Sequence, residues 1–352
     1  MNSRTNFGPG GAGLRFAVVG PSTLKGKEIT EILPDSSLAA ADVRLLDSED
    51  TLGNLENVGE EMTFVQSVAA DNFEGADVVF FASEPAFTKK TLPLATRAGS
   101  AVVDVSYGLE GEPGTSIRAP WLDRELAESA PMDLQPGPVV VAHPASIVLG
   151  LLLLRLQKFA KPRSVIATVF EPASERGRKG LDELHQQTVN ILSFQGLPKD
   201  IYDAQVAFNI MQKLGPAAVE PLESTEKRIL DHFRQTVRGH VPVPSLVLLQ
   251  ASVFHGHAFS LYIDLENPAT VSDLAQALAG EHVEIVRSAE EESPNTVSAA
   301  GQESVLVTLR PDAQRETGVW LWAAADNLRV LALNAIGCAE QLVASRPRGQ
   351  VQ

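Results

Sequence analysis

The segment 139–154, VVVAHPASIVLGLLLL, restricts the architecture more than any other part of the chain. Its three leading valines read as a short buried strand, because β-branched side chains suit a sheet covered on both faces. His143-Pro144 ends that strand: proline brings no N–H to a ladder and pushes the residue before it out of the helical region. The apolar run 147–156 then reads as a buried helix. Ser146 is thereby placed near a helix N-terminus at a strand-to-helix turn, where free N–H groups and the positive end of the helix dipole meet. Such a turn suits a nucleophile or an anion, and it is equally the ordinary crossover of an α/β protein.

Upstream, residues 14–20 (LRFAVVG), 43–46, 76–81 and 101–104 read as strands, with helices over 27–33 and 87–98. Strands alternating with helices predict a doubly wound parallel sheet. Residues 108–135, rich in proline and glycine, read as a connecting loop region. Downstream, strands are expected over 165–170, 246–253, 257–265, 304–309 and 319–325. The stretches 246–253 and 257–265 read as strands of an antiparallel sheet. Helices are expected over 180–192, 223–238, 272–278 (with Ser272 as cap) and 328–345. The fold class is therefore α/β: a Rossmann-type N-terminal domain over 14–142, completed by a closing helix at 326–346, and an α+β domain over 143–325.

Composition narrows function by exclusion. Forty-four acidic against 29 basic residues leave a formal charge of −15. Without a basic run, nucleic acid is not an expected partner. The single cysteine, Cys338, excludes an internal disulfide framework and a cysteine-rich zinc site. The apolar run 147–156 falls short of the roughly 20 residues that span a bilayer. The chain is expected to be soluble and cytoplasmic, with no membrane partner. His255 and His257, two apart, would share one face of a strand, but the sequence offers no third ligand beside them, so no metal site is expected.

Gly20-Pro21-Ser22-Thr23-Leu24-Lys25-Gly26 follows a strand and opens a helix, the context of a dinucleotide loop. Thr23 stands where the middle glycine would let a pyrophosphate approach, so by itself the loop leaves cofactor binding open.

Longer motifs extend the pattern. Phe80-Phe81-Ala82-Ser83-Glu84-Pro85, then Val102-Val103-Asp104-Val105-Ser106, resemble FFSAGG and AVVID-NSS of the aspartate-semialdehyde dehydrogenase family. The turn VVVAHPAS resembles that family's IANPNCST. Phe170-Glu171-Pro172-Ala173-Ser174-Glu175-Arg176-Gly177, followed by Gly180-Leu181-Asp182-Glu183-Leu184, resembles YQAVSGAG and GMDEL. Val253-Phe254-His255-Gly256-His257 resembles VFYGH, and Ala325-Asp326-Asn327-Leu328-Arg329 resembles ADNLR. The likeness runs from about residue 14 to 345. It implies a nicotinamide-nucleotide domain, a catalytic and dimerisation domain, a homodimer, and NADP as cofactor near Gly20, Ser22, Thr23, Gly26, Ser83 and Asn327. It also implies the family reaction of amino-acid biosynthesis, NADPH-dependent conversion of aspartyl phosphate to the semialdehyde, through attack of a thiolate.

This chain departs from that chemistry residue by residue. The nucleophilic cysteine falls on Ser146, or on Ala145 with a one-residue gap. The asparagine of the turn becomes His143, and the substrate-positioning glutamine becomes Glu171. The carboxylate-holding arginine becomes Gln250. The phosphate-holding arginine falls near Glu110, and the phosphate-holding lysine near Pro221. The general-base histidine matches at His257. A dianionic acyl phosphate needs cations in a low-dielectric site, so the expectation is a paralogue that has lost the reaction, keeps the dimeric scaffold and acts through binding or regulation, its small-molecule ligand left open. Two alternatives stand beside it. One is an active dehydrogenase drawing on Arg176, Arg178 or Lys179. The other is a hydrolase using Ser146, His257 and Glu171 as nucleophile, base and acid.

Overall fold

The computed structural model describes residues 13–39, 42–48, 51–127, 137–287 and 292–345. The N-terminal part runs β1 (Arg15–Val19), α1 (Leu24–Ile32), β2 (Asp42–Asp47), β3 (Leu55–Val58), β4 (Glu61–Ser67), β5 (Val78–Phe81), α2 (Pro85–Arg97), β6 (Ala101–Asp104), β7 (Ser116–Arg118), α3 (Pro120–Leu126) and β8 (Val139–Val141). Its sheet has the order β3-β4-β2-β1-β5-β6-β8-β7 and is parallel apart from the β3/β4 hairpin. Alternation along β1 explains why both faces are covered. Phe16 and Val18 pack with Ile29 and Ile32 of α1 on one side, while Ala17 and Val19 pack with Ala95 of α2 on the other.

Helix α1 begins three residues before the expected start at 27, because the Thr23 hydroxyl caps it by accepting from the Gly26 N–H at 3.0 Å. The hairpin β3/β4 was not foreseen. It is solvent-facing, with Met62 and Phe64 exposed, and so lacks the strong apolar signal of a core strand. The stretch expected to be a loop over 108–135 contains β7 and α3, the helix opening on Pro120; residues 128–136 lie outside the described part.

The chain continues through α4 (Pro144–Phe159), β9 (Pro162–Glu171), α5 (Gly177–Leu192), β10 (Ile210–Met211), α6 (Leu222–Val237), β11 (Ser245–Ala251), β12 (His257–Leu265), α7 (Val271–Leu278), β13 (Val283–Ile285), α8 (Thr296–Ala299), β14 (Val305–Pro311), β15 (Gly318–Ala325) and α9 (Asn327–Ser345). The second sheet has the order β10-β11-β9-β12-β15-β14-β13. It is mixed rather than antiparallel throughout. The strands β11 and β12 do not pair, because β9 lies between them, parallel to β11 and antiparallel to β12. Helix α7 is capped by Thr270, whose side chain accepts from the Asp273 N–H, and not by Ser272.

Every residue over 144–156 of α4 is buried, because the helix is packed round by α3, α6, α7, α9 and β9. Gly150 makes room for its neighbours: a Cβ there would sit 2.6 Å from Leu122 Cδ1. Helix α9 is apolar and long enough to cross a membrane by length and composition alone, but here Val330, Leu331, Ala335, Cys338 and Leu342 are core residues. It leaves the second sheet and returns to the first, where Arg329 pairs with Glu28 of α1 at 2.9 Å.

Candidate functional site

The C-terminal ends of β6 and β8, the turn after β9, the first residue of β12 and the N-terminus of α9 converge on one buried cluster. His143 is the N-cap of α4, with Pro144 opening the helix. Its Nδ1 accepts from the Ala145 N–H at 3.2 Å, which leaves the ring proton on Nε2. Its own N–H donates to His232 Nδ1 at 2.9 Å. His143 Nε2 lies 3.6 Å from Glu175 Oε2, and His257 Nε2 lies 3.9 Å from Glu175 Oε1. Both imidazoles are 1% exposed. Burial, followed by the neighbouring His257 and Arg228, holds the His143 pKa well below its ordinary value. Burial also lowers that of His257, against the opposing charges of Glu175 and Asp326.

Glu175 is held from behind by Asn327, whose Nδ2 donates to Oε1 at 2.9 Å. Asn327 Oδ1 accepts from the Ser174 hydroxyl at 3.0 Å and from the Gly256 N–H at 3.1 Å. The amide expected near a cofactor thus ties the turn after β9 to the turn before β12. His255 is not on the strand with His257, because β12 begins at His257 and Gly256, at φ +83°, turns the chain between them.

Tyr107 forms the wall on the β6 side. It takes φ +64°, a left-handed conformation, in a loop fixed by Asp104. Asp104 accepts from the Ser106 N–H and hydroxyl and from the Leu109 N–H, at 2.7, 2.6 and 2.9 Å. The Tyr107 ring carries Lys25 Nζ 4.1 Å and the Arg228 guanidinium 4.9 Å from its centroid, and stacks on His143. Burial lowers the Lys25 pKa, with the Glu175 charge opposing. The ammonium itself donates to the Val105 carbonyl at 2.8 Å. Arg228 is bound by Glu110 at 2.7 Å and by Glu220 at 2.6 Å. Burial pushes the Glu110 carboxyl up, but His232 and Arg228 together outweigh it and leave it below the usual range.

Glu171 and Gln250 face each other on the paired strands β9 and β11, with Arg176 between them. Arg176 Nη2 is 2.8 Å from Glu171 Oε1, and its Nε donates to Gln250 Oε1 at 3.3 Å. The Glu171–Arg176 contact is an ion pair without good hydrogen-bond angles, and both Glu171 oxygens lack other partners among the described residues. Burial lifts the Glu171 carboxyl to about 7 despite Arg176. Of the other two candidate cations, Arg178 and Lys179 are exposed and pair with Asp182 and Glu84.

Ser146 does not join His257. Its hydroxyl donates to the Ile229 carbonyl on α6 at 2.7 Å, while His257 Nε2 has no hydrogen-bond partner among the described residues. Cys338 is buried on α9, where burial pushes its thiol pKa up. At the nucleotide-type loop, Gly20 has φ +83°, and a Cβ there would stand 2.7 Å from the Ser83 backbone. A Cβ on Gly26 would stand 2.1 Å from the Gly20 carbonyl oxygen. Gly20 thus lets the turn lie against the residues that follow β5, and Gly26 lets the first turn of α1 pack on the turn after β1. The Thr23 hydroxyl lies within 3.0 Å of the Ala82 carbonyl and within 2.9 Å of the Gly20 carbonyl, so it braces the loop. Ser83 Oγ is 3.0 Å from Thr88 Oγ1, and the buried Ser22 Oγ has no partner among the described residues.

Two family descriptions cover the chain: residues 15–131 match "Semialdehyde dehydrogenase, NAD binding domain", and residues 153–330 match "Semialdehyde dehydrogenase, dimerisation domain". The chain belongs to the semialdehyde dehydrogenase family. It is 25% identical over 335 residues to the aspartate-semialdehyde dehydrogenase of Rickettsia bellii (strain RML369-C), covering 93% of this chain and 97% of that protein. It is 29% identical over 336 residues to a USG-1 protein homolog of Azotobacter vinelandii, covering 93% and 97%. The structure of a probable aspartate-semialdehyde dehydrogenase from Pseudomonas aeruginosa superposes with a TM-score of 0.82 at 25% identity, covering 94% of this chain and 99% of that one. Within this semialdehyde dehydrogenase fold, the sequence reading placed Ser146, His257 and Glu171 in one cleft and kept Gln250 as a degenerate site residue; Ser146 turns instead to Ile229, and Lys25, Tyr107, Glu175, Arg228 and His232 were missed. Glu175 carried a signal, since it replaces a glycine of the family's SGAG turn. Arg228 and His232 lie on a charged helix and carried none.

Proposed function

We propose that this chain is a dimeric, nucleotide-binding relative of the aspartate-semialdehyde dehydrogenases that has given up the thiolate reaction and acts by binding a small molecule. The observation that carries the reading is Ser146: the turn where the family places its thiol holds a buried hydroxyl committed to the Ile229 carbonyl. The surrounding cations support it. Arg228 is paired with Glu110 and Glu220, and Arg176 lies against the Glu171 carboxyl. A dianionic acyl phosphate would meet occupied cations and buried carboxylates.

The loop at residues 20–26 is compatible with NADP. Gly20 and Gly26 let the strand-to-helix turn close tightly on its own backbone and on residues 82–83, and the Ser22 hydroxyl, without a partner among the described residues, is a group that a phosphate could satisfy. Gly20, Ser22, Thr23, Gly26 and Ser83 would hold it; Asn327 is engaged elsewhere. When bound, NADP supplies a hydride acceptor, whereas the residues around it position the nucleotide. Residues 14–142 with the closing helix at 326–346 would form this nucleotide part, and residues 143–325 the dimerising part. The exposed Ile166, Val247, Phe208 and Ile210 on or beside β9, β11 and β10 support a self-association face. A cytoplasmic location follows from the same reading.

The deciding experiment incubates the purified chain with aspartate semialdehyde, NADP and inorganic phosphate and follows NADPH. No turnover is expected, together with a rise in thermal midpoint when NADP is added. Turnover that disappears in Arg176→Ala would establish the active-dehydrogenase alternative instead. The hydrolase alternative has weaker support, because Glu171 pairs with Arg176 and Ser146 with Ile229 rather than with His257.

A further inference from the structure

We propose that His143, Glu175 and His257 form a binding site for a divalent first-row transition-metal ion of the Zn²⁺ type, with an open coordination position. One ligand atom from each residue lies within 4.8 Å of the other two. Three strand or helix ends supply them: the N-cap of α4, the turn after β9 and the first residue of β12. None belongs to a mobile side chain on the surface. The imidazoles are 1% exposed and the Glu175 side chain 7%.

An independent observation points to a ligand. His257 Nε2 is buried, directed toward Glu175 at 3.9 Å, and without a hydrogen-bond partner among the described residues. A buried polar atom is normally satisfied, and an orphan calls for a missing group. Water could fill that role; the donor set favours a metal. Two neutral imidazoles and one carboxylate suit zinc, copper, nickel or iron rather than calcium or magnesium. Zinc–ligand bonds of about 2.0–2.2 Å put tetrahedral ligand atoms about 3.4 Å apart. Glu175 faces His143 Nε2 with Oε2 at 3.6 Å and His257 Nε2 with Oε1 at 3.9 Å, so the three donor atoms, within 4.8 Å of one another, must draw together around the ion.

Outer partners are already in place. Asn327 Nδ2 fixes Glu175 Oε1, and the stacked Tyr107 ring orients His143. Loading has one identifiable cost. His143 Nδ1 now accepts from the Ala145 N–H at 3.2 Å; coordination of the neutral ring through Nε2 moves its proton to Nδ1, turns that acceptor into a donor and breaks this bond. Three protein ligands leave the fourth position free, as in zinc sites that take up water or a small ligand.

The full-length chain, stripped with chelator and dialysed, would be titrated with ZnCl₂ by calorimetry and separately loaded with Co²⁺ for visible spectroscopy. One equivalent of Zn²⁺ is expected, with a Co²⁺ spectrum of low coordination number. Glu175→Gln keeps the acceptor for Asn327, and His257→Gln keeps the volume of the ring roughly. Each should weaken zinc at least about tenfold, since loss of even an outer partner costs that much. His185→Gln, on the exposed face of α5, should leave binding unchanged. Circular dichroism of each variant without metal checks that it is folded. Absence of stoichiometric uptake by the wild-type chain would overturn the proposal. So would uptake that survives in both folded ligand variants or is lost in His185→Gln. The readout is metal binding alone, so it is independent of whether the chain turns over a semialdehyde.

Discussion

Ser146 Oγ donates to the Ile229 carbonyl at 2.7 Å, so this residue in the first turn of α4 fastens α4 to α6. Ser146→Ala should lower stability by about 1 kcal/mol, the usual net worth of a buried hydrogen bond, without altering NADP binding. Ser146→Cys should not restore turnover of aspartate semialdehyde, because the new sulfur would be buried against α6. Chemical denaturation and an NADPH-coupled assay check both statements.

The Glu171 carboxyl titrates near 7 in the folded protein and near 4.5 when unfolded. Its folded form therefore prefers the proton, and the stability this confers is fully present below about pH 4.5 and lost as pH rises through 7. In Glu171→Gln that dependence disappears. Linkage predicts that the wild type loses on the order of 3 kcal/mol relative to Glu171→Gln between those limits. Urea midpoints for the two proteins across that pH range would show the difference, and parallel curves would contradict it.

Asn327 is expected to matter for folding more than for nucleotide binding. Asn327→Ala removes the acceptor of the Ser174 hydroxyl and the Gly256 N–H and the donor to Glu175. A loss of about 2–4 kcal/mol is expected from a buried network deprived of its centre. The thermal shift produced by NADP should remain, relative to the variant's own lower midpoint.

Loop geometry at α1 separates two neighbours. Thr23→Gly leaves a tolerated N-cap but loses the hydroxyl's bond to the Ala82 carbonyl, so a cost of about 1 kcal/mol is expected with the NADP-induced shift retained. Gly26→Ala forces a methyl to 2.1 Å from the Gly20 carbonyl oxygen, so the first turn must move. That variant should show both a lowered midpoint and loss of the NADP-induced shift. Differential scanning fluorimetry with and without NADP distinguishes them.

The sequence alone determined what depends on neighbours along the chain. Valine runs became β1, β5, β6 and β8, the His143-Pro144 break opened α4, and the glycines of residues 20–26 marked a tight strand-to-helix turn. Hairpin β3/β4 and helix α3 escaped because exposed strands and short proline-opened helices carry little apolar periodicity. Tertiary structure decided the site, because its contacts join residues with no sequence relation. The His143 N–H finds His232 across 89 positions, Ser146 finds Ile229 across 83, and Glu175 finds Asn327 across 152. Hydrogen bonds and ion pairs are short-ranged, so whether a serine faces a histidine or a helix carbonyl is settled only when the strand and helix ends meet in space.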